Sequence, residues 1–132
     1  MRRILHPDGW APPRGYSHGM SGTGRLIVLA GQIGWNAQQQ MVSPEFVPQA
    51  KQALENIVTL LAADGARPEH LVRLTWYVTS RQQYLDAGKA LGDAYRAVIG
   101  RHYPAMTAVE VSALMEADAL VEIEATAIVP LG

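Results

Sequence analysis

Residues 43–79 read SPEFVPQAKQALENIVTLLAADGARPEHLVRLTWYVT, and the change of period inside this stretch decides the fold. Phe46, Ala50, Ala53, Leu54, Ile57, Val58 and Leu61 recur at helical spacing, with Gln52, Glu55, Asn56 and Thr59 on the other side. That pattern predicts an amphipathic helix. Ser43 is placed to cap it, with Pro44 at the first position, where a missing N–H costs nothing. Gly65 suits a left-handed C-terminal cap, and Pro68 prevents continuation. Val72, Leu74, Trp76 and Val78 then alternate with Arg73, Thr75, Tyr77 and Thr79, which predicts a strand with one face in the core.

The elements on either side follow from this centre. Ser80 and Gln83 match a capping box that opens a second helix, with Tyr84, Gly88, Leu91, Tyr95 and Val98 along one side and Gly100 at its end. Gly88 and Gly92 lie inside it, each costing about 1 kcal/mol against alanine. Close backbone packing on their shared side would offset that cost. Upstream, turn formers dominate the first 25 residues; Tyr16–Met20 reads as a short strand, Gly22-Thr23-Gly24 as a turn and Leu26–Ala30 as a buried strand. Downstream, Met106–Val111 and Leu120–Val129 read as two final strands. The predicted order is β-β-α-β-α-β-β, an α+β domain over residues 1–132. A hairpin stands at each end, and both helices cover one face of a mixed sheet. Alternating apolar residues on several strands predict that other copies of the chain cover the second face.

Composition narrows the function. The chain has 132 residues, 48% hydrophobic and 17% charged, which is ordinary for one globular domain. A net charge of −1 argues against nucleic acid and anionic membrane as partners. The absence of cysteine excludes disulfides, thiolate metal sites and a cysteine nucleophile, and it fits a cytoplasmic location. Arg2 and Arg3 precede no apolar stretch of signal-peptide length, and no apolar run is long enough to span a bilayer. His6, His18, His70 and His102 are scattered in sequence, so no metal site is expected. Gly22-Thr23-Gly24 lacks the third glycine and the following helix of a dinucleotide fingerprint. Ser17 and His18 point to opposite faces of a strand and form no hydrolytic pair. Glu122 and Glu124 share one strand face, with Glu110 on the preceding strand. Two readings fit these carboxylates: a solvated face, or one carboxylate that lines a pocket and handles a proton.

Three stretches together resemble the RidA (YjgF-type) family. They are Arg14-Gly15-Tyr16-Ser17 followed by Leu29-Ala30-Gly31-Gln32-Ile33; Gln52-Ala53-Leu54-Glu55-Asn56-Ile57; and Tyr103-Pro104-Ala105-Met106-Thr107 with Val121-Glu122-Ile123-Glu124-Ala125. The resemblance covers nearly the whole chain. It implies a chorismate-mutase-like fold, a homotrimer with three inter-subunit clefts, and cofactor-free hydrolysis of enamines and imines such as 2-aminoacrylate. It also implies pocket roles for Tyr16, Gly31 and Glu122, with Glu122 positioning a water.

At the position of the family's carboxylate-binding arginine this chain has Met106, whose thioether cannot fork a carboxylate. Gly15 and Ala30 replace the usual proline and serine, and Gly92 stands where an asparagine usually precedes the helix tyrosine. Two roles remain open for Arg14, a replacement cation or a solvated loop residue, and two for Trp35, an aromatic wall or ordinary packing. The expected function is enamine or imine hydrolysis on a substrate other than 2-aminoacrylate. The alternatives are non-catalytic binding of a small apolar metabolite in the inter-subunit cleft and, less favoured by the charge, ribonuclease activity.

Overall fold

The computed structural model describes residues 2–131. Six strands and two helices run in the order β1 (Arg2–Leu5), β2 (Gly19–Gly22), β3 (Arg25–Gln32), α1 (Phe46–Ala63), β4 (Leu71–Val78), α2 (Arg81–Val98), β5 (Ala105–Glu110) and β6 (Val121–Val129). The fold is α+β, with two helices packed on a mixed four-stranded sheet of order β3-β6-β4-β5. Strand β6 is antiparallel to both β3 and β4, whereas β5 is parallel to β4.

Alternation along the strands separates the two faces of the sheet. Val121, Ile123, Ala125 and Ala127 of β6 and Leu74, Trp76 and Val78 of β4 are buried on the helix side. Leu54, Ile57 and Leu61 of α1 are completely buried against them. Burial of each of these three side chains stabilises the fold by about 2 kcal/mol. The other face carries Glu122 and Glu124, with Tyr77 and Thr75 opposite them on β4. On β3, Leu26 (62% exposed) and Val28 (70% exposed) flank the buried Ile27.

Four local expectations are corrected. Helix α1 starts at Phe46 with Glu45 as its extended N-cap, not at Pro44, and Ser43 Oγ instead accepts from the Glu45 N–H at 3.0 Å. The cause is Pro48. A start at Phe46 leaves it in the first turn, where its missing N–H has no intrahelical partner to lose; a start at Pro44 would drive its ring into a helical carbonyl. The entry strand is Gly19–Gly22, and it pairs with β1 in a separate two-stranded sheet rather than forming a hairpin with β3. Strands β5 and β6 form no hairpin either, because they flank β4 on opposite sides. Finally, α2 is broken at Gly88, whose φ of 22° and ψ of −99° are not helical. A Cβ there would meet nothing within 4 Å, so close backbone packing is not the reason for this glycine.

The two glycine caps and the Ser80 half of the predicted capping box are present; the return bond from the Gln83 side chain is not among the bonds of the described residues. Gly65 has φ 71° after α1, Gly100 has φ 90° after α2, and Ser80 Oγ accepts from the Gln83 N–H at 3.1 Å. Glu110 adds a second acceptor at the same helix start, taking the Arg81 N–H at 2.7 Å. A carboxylate at a helix N-terminus is favourable, so Glu110 serves the fold there.

Candidate functional site

The sequence-derived site residues fall into two groups on opposite sides of the sheet. On the face away from the helices, Glu122 lies across Gly31. A Cβ built on residue 31 would sit 2.7 Å from the Glu122 carboxylate carbon, so only glycine admits this arrangement without a shift. The β3–β6 register slips between Leu29 and Gln32, and that bulge brings the bare Gly31 backbone over the carboxylate. Glu122 is half-buried and faces Tyr77 across the β4–β6 ladder. Burial raises the Tyr77 hydroxyl pKa above its ordinary value, and the Glu124 and Glu122 carboxylates raise it further. Tyr77 therefore stays a neutral hydroxyl beside these carboxylates at physiological pH.

The second group surrounds a cavity of about 490 Å³ on the helix side, between α2 and the β4–β5 edge. Met106, Arg14 and Gly15 line it together with Trp76, Tyr84 and Tyr103. Tyr16 joins Arg14 and Met106 in an adjoining hollow of about 240 Å³. Gly15 has φ 75°, the left-handed turn that carries the chain past Arg14. Arg14 is exposed and makes no ion pair among the described residues. The register pairs Met106 with Leu74 and Leu74 with Ala125, three residues along β6 from Glu122 and on the reverse face. One copy of the chain does not bring Met106 and Glu122 into one pocket.

Hydrogen bonds hold both groups in place. Ser17 Oγ donates to the Tyr103 carbonyl at 2.6 Å, and the Ser17 N–H donates to the Pro104 carbonyl at 3.0 Å. These bonds tie the Arg14–Tyr16 loop to the start of β5. Tyr95 Oη donates to the His102 carbonyl at 2.6 Å, while its ring stacks on Tyr103 with centroids 5.5 Å apart. Beyond Gly31, Asn56 Nδ2 donates to the carbonyls of Ile33 (3.2 Å) and Trp35 (2.9 Å), and Gln52 supports Asn56 from the preceding helical turn. Trp35 lies in this pinned loop and bridges to Met41. It lines neither hollow beside Met106.

Several features were not visible in the sequence. Trp76 and Tyr84 meet edge to face at 6.1 Å and form part of the cavity wall, although strand alternation marks Trp76 only as core. Gly88 and Gly92 also border this cavity, and their presence in a helical pattern was the available signal. The scattered histidines include one pair brought together: His6 and His18 stack at 5.7 Å, with Trp10 and Tyr16 edge-on to His18. Among the described residues there is no group of three or more side chains able to hold a metal, and no helix is long and apolar enough to cross a membrane.

Residues 8–129 match the family model described as endoribonuclease L-PSP. The chain is 30% identical over 129 residues to a RutC family protein of Pyrococcus horikoshii, covering 96% of this chain and 98% of that one. It is 30% identical over 108 residues to the 2-iminobutanoate/2-iminopropanoate deaminase of Escherichia coli K12, covering 80% of each. Among solved structures it resembles a protein of the conserved Rid family from Yersinia pestis, with a TM-score of 0.79 and 34% identity. That match covers 97% of this chain and 98% of the other.

Proposed function

This chain belongs to the RidA (YjgF-type) family, matched as endoribonuclease L-PSP over residues 8–129, and from that premise we propose that it hydrolyses an enamine or imine other than 2-aminoacrylate. The observation that carries the reading is Glu122 lying across Gly31. A carboxylate held beside an exposed backbone can orient a water and take its proton. An enamine first tautomerises to the imine, gaining a proton at its β-carbon as one leaves the nitrogen. Water then adds to the C=N carbon, the nitrogen is protonated, and the resulting carbinolamine collapses to a carbonyl compound and ammonia. No cofactor enters this balance.

The two halves of the site lie on opposite faces, so a working cleft needs a second copy. We take the assembly to be a homotrimer, with Arg14, Tyr16 and Met106 of one chain facing Gly31 and Glu122 of the next. Burial of the exposed Leu26 and Val28, on the same sheet face as Glu122 but farther along β3, supports such an assembly energetically. Met106 makes the substrate side apolar, and Arg14 is the cation on that side available to a carboxylate. Trp35 is best placed as support for the Gly31 loop. The net charge of −1 gives little attraction to a phosphate backbone, which ranks RNA cleavage lower; a cytoplasmic place fits the small-molecule chemistry.

The test is ammonia and carbonyl release from a panel of imines generated in situ by an amino-acid oxidase. Acceleration on at least one imine, abolished in Glu122→Gln, is expected. No acceleration on any imine would overturn the reading. Saturable ligand stabilisation without turnover, unchanged in Glu122→Gln, would instead establish a binding protein, the reading that Met106 favours.

A further inference from the structure

We infer that Arg96 holds the anionic group of a ligand whose apolar body fills the cavity beneath the α2 kink. The inference rests on the imine-hydrolase reading only in taking that ligand to be a substrate. The volume of about 490 Å³ lies within the range of small-molecule pockets. Much of the wall is aromatic and apolar, with Tyr84, Leu91 and Tyr95 of α2 joined by Tyr103 and Met106. Among the described residues that line it, the charged ones are Arg14 and Arg96, and none is acidic. A space with cations and no carboxylate, walled by rings and a thioether, suits an organic anion with an apolar body.

Three observations set Arg96 apart from an ordinary cation on a helix surface. The first is where its guanidinium lies. A Cβ on Gly92 would come 3.2 Å from Nη1, 3.4 Å from Nη2 and 3.7 Å from Cζ of Arg96. Helical side chains lean towards the N-terminus, so Arg96 folds back over residue 92, one turn earlier. With glycine there, no side chain crowds the guanidinium at the cavity wall. The second is access. The Arg96 side chain is 37% exposed, so a ligand can reach it. The third is how it is held. Nη2 donates to Asp93 Oδ1 at 2.8 Å, while Lys89 Nζ donates to Oδ2 of the same carboxylate at 2.8 Å. One carboxylate serves two cations, which leaves positive charge in excess. A guanidinium carries more N–H donors than Asp93 takes up, so Arg96 is oriented with donors to spare. The Tyr103 hydroxyl, and then the Asp93 carboxylate, raise its pKa. Arg14 is the free cation on this side, in a loop and without an ion pair among the described residues to orient it. Arg96 is the positioned one.

The test uses 3-phenylpropanoate and 3-phenylpropanamide, which share an apolar body and differ in charge. Titration calorimetry on the full-length protein should show the acid bound at least about tenfold more tightly, the scale of one charge-assisted hydrogen bond. Arg96→Gln should weaken the acid about tenfold and change the amide by less than about twofold, which removes the preference. Arg96→Met serves the same purpose should Arg96→Gln not fold. Equal binding of acid and amide by the parent, or binding of neither, would overturn the inference. So would a full preference in the Arg96 variants with only a lowered thermal midpoint, since that is what a purely structural role in the Lys89–Asp93–Arg96 network predicts. The hydrolase reading is judged separately, by turnover of the oxidase-generated imines. Turnover without a preference for the acid would sink the inference and leave that reading standing; preference for the acid without turnover would do the reverse.

Discussion

The carboxylate of Glu122 occupies the space that a side chain on residue 31 would need, so Gly31 and Glu122 act as one unit across the β3–β6 bulge. Gly31→Ala should push the carboxylate out of position without removing it. Imine hydrolysis should fall roughly a hundredfold, the scale of a positioned proton-transfer group. Glu122→Gln should give a similar loss, and the double variant should lose little more. Steady-state kinetics on the three variants checks this; additive losses would show two independent roles.

Met106→Arg restores a forked cation at the β5 position that lines the cavity beside Arg14. The variant should gain hydrolysis of 2-aminoacrylate by about tenfold or more, since a charge-assisted bond contributes about 1.5–3 kcal/mol. Keto-acid formation from 2-aminoacrylate released in situ measures the gain, and no gain would mean that the departures at Gly15, Ala30 and Gly92 matter as well.

Gln49 is completely buried and holds together three parts of the chain. Its Nε2 donates to the Ser43 carbonyl (2.9 Å) and the Asp118 carbonyl (3.0 Å), and its Oε1 accepts the Leu120 N–H (2.8 Å). Gln49→Leu leaves three backbone groups without partners and should destabilise the fold by about 3 kcal/mol or more. Urea denaturation with an unchanged m-value would verify the figure.

Gly88→Ala must adopt a φ near 22° in a helix break, which L side chains rarely do. The variant should lose about 1–2 kcal/mol despite the open space around it. A lower thermal midpoint is the expected readout. A rise would show that α2 straightens and that the break is not enforced by its surroundings.

His70 Nδ1 accepts the Arg67 N–H at 3.0 Å, which requires the unprotonated ring. Partial burial, and then the Arg67 charge, lower its pKa from the usual 6.5. The unfolded chain therefore binds the proton more readily than the folded one. The stabilisation is complete above pH 6.5 and is lost as the pH falls through that value towards the folded pKa. His70→Asn keeps a local acceptor without a titration, so its stability should decline less than the parent's between neutral and mildly acid pH. NMR titration of His70 should give a midpoint below 6.5.

The helices and the strands of the main sheet were legible because their periods reflect burial on one side, as in Leu71–Val78 and Val121–Val129. What sequence pattern does not encode is partnership. Arg2–Leu5 carries only two apolar residues, so its pairing with Gly19–Gly22 gave no local signal. Strands β5 and β6 read as neighbours because they adjoin in sequence, yet β4 lies between them. Candidate site residues could be named from the sequence, but not their arrangement. Glu122, Gly31 and Met106 were identifiable, whereas their division between two faces depends on sheet register. Trp76 is core, as alternation reads it, but alternation does not report that its indole N–H lacks a partner among the described residues.

Strand β6 comes last of the strands in chain order but lies inside the sheet, between β3 and β4. Until it arrives, the two strands it joins have no backbone partners along their facing sides. Pairing Arg25 with Val129 closes a loop of roughly a hundred residues, the kind of non-local contact that slows folding. The growing chain thus emerges with two apolar edges open, and its main sheet closes only after Val121–Val129 has been made. During that interval it is most vulnerable to pairing with the wrong strand.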